Sequence, residues 1–264
     1  KHMEDNHMET KLIFRQPREG IDRFMISAVG NFNKNTRRAM ELCKEMNFSV
    51  VECPSDECKL ACREVGMDRT DKIANRAVAT VKVPTDIKDG EYIGTSAEYF
   101  RFQVYDALMK GKSGVRLQRI CPGALSKQAM PGPLFHYIKE INFRIQELGR
   151  TMMALKKVQP AKAQVLADAE LPKDCAVSEF KDSEGNRYLL IQNTDCESRK
   201  PKQYVFELAK KYRVYRVNPH DGRQQIMKED LETMKLIVMP GDADLLRFQP
   251  AEEEPYLIEY ALKK

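Results

Sequence analysis

Carboxylates placed at the ends of expected strands are the residues in this chain best suited to chemistry. Glu52 closes the run Phe48-Ser-Val-Val-Glu52, and Asp56 and Glu57 follow it directly. Two convergent carboxyl groups can cleave a glycosidic bond, about 5 Å apart in retaining enzymes and further apart in inverting ones. Asp86, Asp89 and Glu91 come next, in a loop loosened by Gly90 and Gly94. Glu98 stands beside Tyr99 and Arg101. Arg119 follows the run Val115-Arg-Leu-Gln118, and its guanidinium suits a hydroxyl-rich or anionic ligand. Each residue also has a plainer reading. Glu52 can simply face water at a strand terminus, Arg119 can neutralise a neighbouring acid, and Thr95-Ser-Ala-Glu98 has the spacing of a helix capping box.

Other chemistries find little support. His2, His7, His136 and His220 are scattered and pair with no serine, cysteine or metal-ligand pattern. Cys53, Cys58 and Cys62 lack zinc-finger or zinc-ribbon spacing, and the seven cysteines are too irregular for a disulfide framework; buried thiols or an incidental pair are expected. Glycine-rich phosphate loops are absent. No metal and no cofactor is therefore expected. The 44 basic and 39 acidic residues give a net charge of +5, spread along the chain, so a nucleic-acid partner is not expected. No apolar run reaches the roughly 18 residues of a membrane span. The opening Lys1 to Met8 reads as a tag remnant, which fits a natural signal peptide removed before it.

The elements that must position these acids follow an α/β pattern. Phe24–Val29 and Phe48–Glu52 are strand candidates around a helix carrying Ala39, Leu42, Cys43 and Met46 on one face. Residues 57–77 carry a helical pattern interrupted at Gly66, and Val78–Val83 is a third strand. A helix from the capping box through Phe100, Val104 and Leu108 ends at Gly111. Val115–Ile120 is strand-like. Ile138, Ile141, Ile145, Leu148, Met152 and Leu155 form the stripe of a long amphipathic helix. Strands joined by covering helices imply a parallel sheet.

Beyond Leu155 the pattern becomes β. Strands are expected at Ala176–Phe180, Tyr188–Asn193, Gln203–Leu208, Tyr212–Val217, Lys235–Met239, Asp244–Phe248 and Tyr256–Tyr260, separated by turn chemistry such as Asn-Pro-His-Asp-Gly. The expected division is a lead-in over 1–19, a (β/α) barrel-like domain over 20–160, a linker over 161–172 and an antiparallel β-sandwich over 173–264 that packs on the first domain through an apolar interface and has no catalytic residue of its own.

Three stretches carry a resemblance: Glu98-Tyr-Phe-Arg-Phe-Gln-Val-Tyr-Asp-Ala-Leu-Met-Lys-Gly111, Gly114-Val-Arg-Leu, and Phe135-His-Tyr-Ile-Lys-Glu-Ile-Asn142 with Glu147-Leu-Gly149. They resemble helix seven, strand eight and helix eight of bacterial glycoside hydrolases of the β-galactosidase-like (β/α)8-barrel type. Tyr188-Leu-Leu-Ile-Gln-Asn193 and Pro240-Gly-Asp-Ala-Asp-Leu-Leu-Arg-Phe248 are similar to strands of their closing β-sandwich. The resemblance implies a glycoside hydrolase, or a degenerate relative, acting on or binding carbohydrate. It also implies a periplasmic or extracellular site. The alternative is a non-catalytic carbohydrate-binding or scaffolding protein that assembles through its β module.

Glu52 and Glu98 are then the candidate catalytic acids, and Asp56, Asp86, Tyr99 and Arg119 the candidate substrate-binding residues. The chain departs from the family in size, because a complete barrel takes about 250 residues and only four βα units are visible. No Asn-Glu pair stands at a strand end to serve as the family's acid/base. Either barrel sequence is missing between about residues 66 and 92, or a homo-oligomer covers the open sheet edges. The absence of tryptophan leaves Tyr and Phe as the platforms for sugar rings.

Overall fold

The computed structural model describes residues 25–29, 36–52, 55–70, 78–83, 87–88, 91–92, 97–118, 120–126, 128–158, 164–167 and 170–251. The α/β part runs β1 (Met25–Val29), α1 (Thr36–Glu45), β2 (Val50–Glu52), α2 (Asp56–Val65), β3 (Arg69–Thr70), β4 (Ala79–Lys82), β5 (Ile87–Lys88), β6 (Glu91–Tyr92), α3 (Ala97–Met109), β7 (Gly114–Gln118), the single turn α4 (Ile120–Gly123) and α5 (Phe135–Met153). Then come β8 (Lys156–Lys157), β9 (Cys175–Lys181), β10 (Arg187–Asn193), β11 (Lys202–Val217), β12 (Gln224–Val238) and β13 (Ala243–Pro250).

Five strands form a parallel sheet in the order β3-β2-β1-β7-β4. The four βα units expected from the sequence thus become five parallel strands. The extra one, β3, is only two residues long and lies within the stretch read as helical over 57–77. Helix α2 stops before it for a clear reason. Ser55 Oγ accepts from the Cys58 N–H at its start, Asp56 and Glu57 sit in its first turn, and Gly66 at φ 64° turns the chain out of the helix. The Met67 N–H then donates back to the Cys62 carbonyl at 2.8 Å.

The steps from β1 to β2, from β2 to β3 and from β4 to β7 all run the same way along the sheet. Right-handed crossovers stepping in one direction place their helices on one face. The burial agrees. Ile26, Ala28, Val51, Val81, Val115 and Leu117 share one core with Leu42, Phe100, Leu108, Ile141 and Ile145 of the helices.

The second part is one continuous antiparallel sheet in the order β12-β11-β13-β10-β9-β8. Strand β11 pairs with β13 over Tyr212–Arg216, whereas its earlier residue Tyr204 donates to the Asp174 carbonyl at the start of β9, at 2.8 Å. A straight strand would carry Tyr204 to the other end of the sheet, so the hairpin folds back over it. The register shifts between Glu207 and Tyr215 mark the bend. A second core forms in the fold, with Leu189, Ile191, Leu246 and Phe248 against Tyr204, Phe206, Met234 and Leu236. The expected strand at Tyr256–Tyr260 lies outside the described residues.

The two parts pack directly. Phe180, Tyr188, Leu190, Val217, Ala243 and Leu245 of the antiparallel sheet join the helical core, which makes the expected apolar interface. Within the region expected to be a linker, the Ala167 N–H donates to Glu207 and Leu166 bridges to Leu208. Just before it, the Lys156–Lys157 strand already pairs with β9. Cys58 is disulfide-bonded, while Cys43, Cys62, Cys121, Cys175 and Cys196 keep reduced thiols. Among the described residues no helix is long and apolar enough to cross a membrane.

Candidate functional site

Side chains alternate across a strand, so the face of the parallel sheet turned away from the helices can be read from the register. Ser27 stands level with Val50 and Arg116, and Arg116 with Thr80. One step towards the carboxyl ends, Glu52 shares a row with Gln118 and Lys82. Among the described residues this face has only a small apolar cluster, Met25, Val50 and Val78, and no helix packs on it. The other described side chains on this face are polar. A sheet in water normally buries its faces, and ligands of α/β sheets bind beyond the carboxyl ends of the strands. This is the part of the molecule where chemistry is expected.

Glu52 is the centre of the face. Arg116 Nε donates to its Oε1 at 2.5 Å and Nη2 to its Oε2 at 2.5 Å, a two-pronged bond that reaches from β7 to β2 across β1. The side chains are 7% and 19% exposed, so water screens the pair little. Beside it the Ser27 hydroxyl is fully buried and, among the described residues, has no hydrogen-bond partner. Thr80 and Lys82 are exposed, and Gln118 is half-buried.

The other candidates fall elsewhere. Asp56 is 99% exposed in the first turn of α2, with Lys59 Nζ 3.3 Å away. Glu57 accepts from the Thr36 hydroxyl at 2.7 Å. Glu98 and Tyr99 lie in the first turn of α3, away from the Glu52 row; the Glu98 backbone packs on Gly241, and Tyr99 tilts its ring against Phe102 at 5.9 Å. Asp86, Asp89 and Arg119 lie outside the described residues. Glu52 is thus the candidate that the structure places on the polar face. Among the described residues no second carboxylate shares that face with it, and no group of three or more His, Cys, Asp or Glu side chains is placed to hold a metal.

Ser27, Thr80, Lys82, Arg116 and Gln118 were not singled out from sequence. The signal for two of them is the alternation Val115-Arg-Leu-Gln118, apolar towards the helices and polar away from them.

A second polar cluster docks the two parts. Arg144 donates to both carboxylate oxygens of Asp242, at 2.9 and 3.2 Å, and Arg101 lies 3.8 Å from the same carboxylate. Tyr137 accepts from Arg101 Nε and donates to the Ala97 carbonyl at 2.7 Å. Burial pushes the Tyr137 hydroxyl up to about 12 and the Tyr105 hydroxyl well above the usual phenol range. Pairing accounts for Asp242, Arg101 and Tyr137, whereas the buried Tyr105 hydroxyl has no hydrogen-bond partner among the described residues. The paired groups tie α3 and α5 to the turn before β13.

No protein-family model matches the sequence, and no curated protein does. Among solved structures the chain is similar to a GH27 β-L-arabinopyranosidase from Geobacillus stearothermophilus, at 10% identity and a TM-score of 0.38, over 86% of this chain and 50% of that one. It is similar to α-galactosidase I from Mortierella vinacea at 9% identity and a TM-score of 0.37, over 60% and 37%. A GH30 endoxylanase from Clostridium papyrosolvens matches at 10% identity and a TM-score of 0.35, over 78% and 50%. The chain spans at most half the length of these structures.

Proposed function

We propose that this chain is a glycoside-hydrolase-like protein that acts on or binds carbohydrate, with the ligand lying on the polar face of the parallel sheet, on which no described helix packs. The observation that carries the reading is the polarity of that face. Ser27, Glu52, Thr80, Lys82, Arg116 and Gln118 are hydrogen-bonding side chains where a packed domain would place apolar ones. Sugars are recognised through such groups. The strand order supports the reading as well. In a (β/α)8 barrel each strand lies beside its sequence neighbour and the eighth closes on the first, so β3-β2-β1-β7-β4 has the order of strands three, two, one, eight and seven. On this reading the polar face is the inner wall of an open arc, and the folded antiparallel sheet is the closing β-sandwich.

Glu52 here orients a sugar or stabilises charge beside it, because both of its oxygens are already held by Arg116. Titrating the protein calorimetrically with a panel of mono- and disaccharides, alongside hydrolysis assays on chromogenic glycosides, tests the proposal. Binding is expected, weakened about ten-fold by Gln118→Ala or Thr80→Val with the melting temperature unchanged, as befits the loss of one or two hydrogen bonds. No binding to any sugar, or binding indifferent to both substitutions, contradicts it.

A further inference from the structure

We infer that the outer face of the folded-back half of the β11/β12 hairpin is a dimer interface, and that what covers it is a second copy of this chain. The inference makes no use of the carbohydrate reading and stands or falls apart from it.

This half of the hairpin turns Tyr204, Phe206, Met234, Leu236 and Val238 inward, into the second core. Alternation therefore places Gln203, Val205 and Glu207 of β11 on the other face, level with Ile237, Lys235 and Thr233 of β12, and Met239 continues the row just past the strand. An outer face of an antiparallel sheet is normally polar. Here Val205 is 48% exposed, Ile237 61% and Met239 46%. Val205 and Ile237 are diagonal neighbours on adjacent strands, and Met239 lies two residues beyond Ile237, so the three form one stripe. Of the ten large apolar side chains exposed among the described residues, five belong to this hairpin or to the residue after it, while Leu60, Tyr99, Met130, Phe143 and Leu171 are scattered along the chain. Scattered apolar residues are normal on a surface; a contiguous group marks a contact. The edge beside the stripe is open as well, because β12 is the last strand of its sheet and no described strand pairs with its outer side.

The charges on the patch select the second copy as its partner. Glu207 and Lys235 are the acid and the base among these outward residues, both exposed, so the patch is neutral and two copies do not repel each other. A two-fold axis sets the same patch on both sides of the interface. It lays the apolar stripe on itself and lets Lys235 of each copy meet Glu207 of the other. Half a hairpin is a small contact beside the roughly 20–30 residues a side of a standard interface. The dimer is therefore expected to form reversibly at micromolar concentrations.

Sedimentation equilibrium on the whole chain, across micromolar concentrations, tests the inference. The parent is expected to pass from monomer to dimer, and Ile237→Lys, which puts a charge in the middle of the stripe, to weaken the association about a hundred-fold with the melting temperature of the monomer unchanged. A charge swap checks the pairing between copies. Lys235→Glu and Glu207→Lys should each weaken self-association about ten-fold, and an equal mixture of the two variants should recover it, because every acid then meets a base on the other chain. All three residues are exposed, so the variants are expected to fold. A chain that stays monomeric at every concentration overturns the inference, as does a dimer that Ile237→Lys leaves intact, since its interface would then lie elsewhere. A monomer destabilised by Ile237→Lys overturns it too, because the stripe would then be covered by another segment of the same chain. None of these outcomes bears on sugar binding.

Discussion

Arg116 and Glu52 grip each other across an intervening strand, with two bonds of 2.5 Å joining β7 to β2 over Ser27 of β1. The pair fixes the position of the only carboxylate on the polar face among the described residues. It also makes the two residues interdependent. Arg116→Met strands a carboxylate that is 7% exposed, and the expected cost is about 3–5 kcal/mol by urea denaturation. Glu52→Gln combined with Arg116→Met should recover most of that loss, because neither charge is then left alone. A single-mutant cost below about 1 kcal/mol would show that water screens the pair as it does on a surface.

Gly241 sets how closely the antiparallel sheet approaches α3. A Cβ at that position would stand 2.1 Å from the Glu98 carbonyl oxygen and 3.1 Å from the Phe102 nitrogen, and the residue holds φ at +69°. Both neighbours are helix backbone and cannot give way. Gly241→Ala is expected to cost about 2–4 kcal/mol, through overpacking and an unfavourable left-handed conformation together. A variant as stable as the parent would mean that the two parts do not meet here.

Tyr137 predicts the alkaline limit of stability. Its buried hydroxyl titrates at about 12 in the folded protein, against about 10 in an unfolded chain. The unfolded state therefore ionises first as pH rises. Stability contributed by this group is complete below pH 10 and is lost on the way to about 12. Tyr137→Phe should flatten the decline in melting temperature over that window, at the cost of the hydrogen bond to Ala97. An identical alkaline profile in parent and variant would place the tyrosine in water.

The periodic elements were legible in the sequence. The stripe from Ile138 to Met152 is buried in α5, and the alternating runs at Tyr188 and Asp244 are β10 and β13. Elements without a periodic signal were not. Strand β3 is Arg69–Thr70, too short to alternate. The first half of β12 is a mostly exposed ribbon whose apolar residues, Ile226 and Met227, are adjacent rather than alternating, so no apolar face announced Gln224–Lys228 as a strand. The site divides in the same way. Glu52 could be read because it ends an apolar run. Arg116 could not, since it lies 64 residues away and its meeting with Glu52 depends on both strands flanking β1.

The most direct test of the carbohydrate face is to locate the ligand on the protein. Amide and side-chain NMR signals followed during titration with the sugar that binds most tightly should move at Thr80, Lys82, Arg116 and Gln118, with the exposed Thr80 and Lys82 shifting most. Signals from the antiparallel sheet should stay in place. Shifts confined to that sheet, or a spectrum unchanged at saturating sugar, would contradict the account.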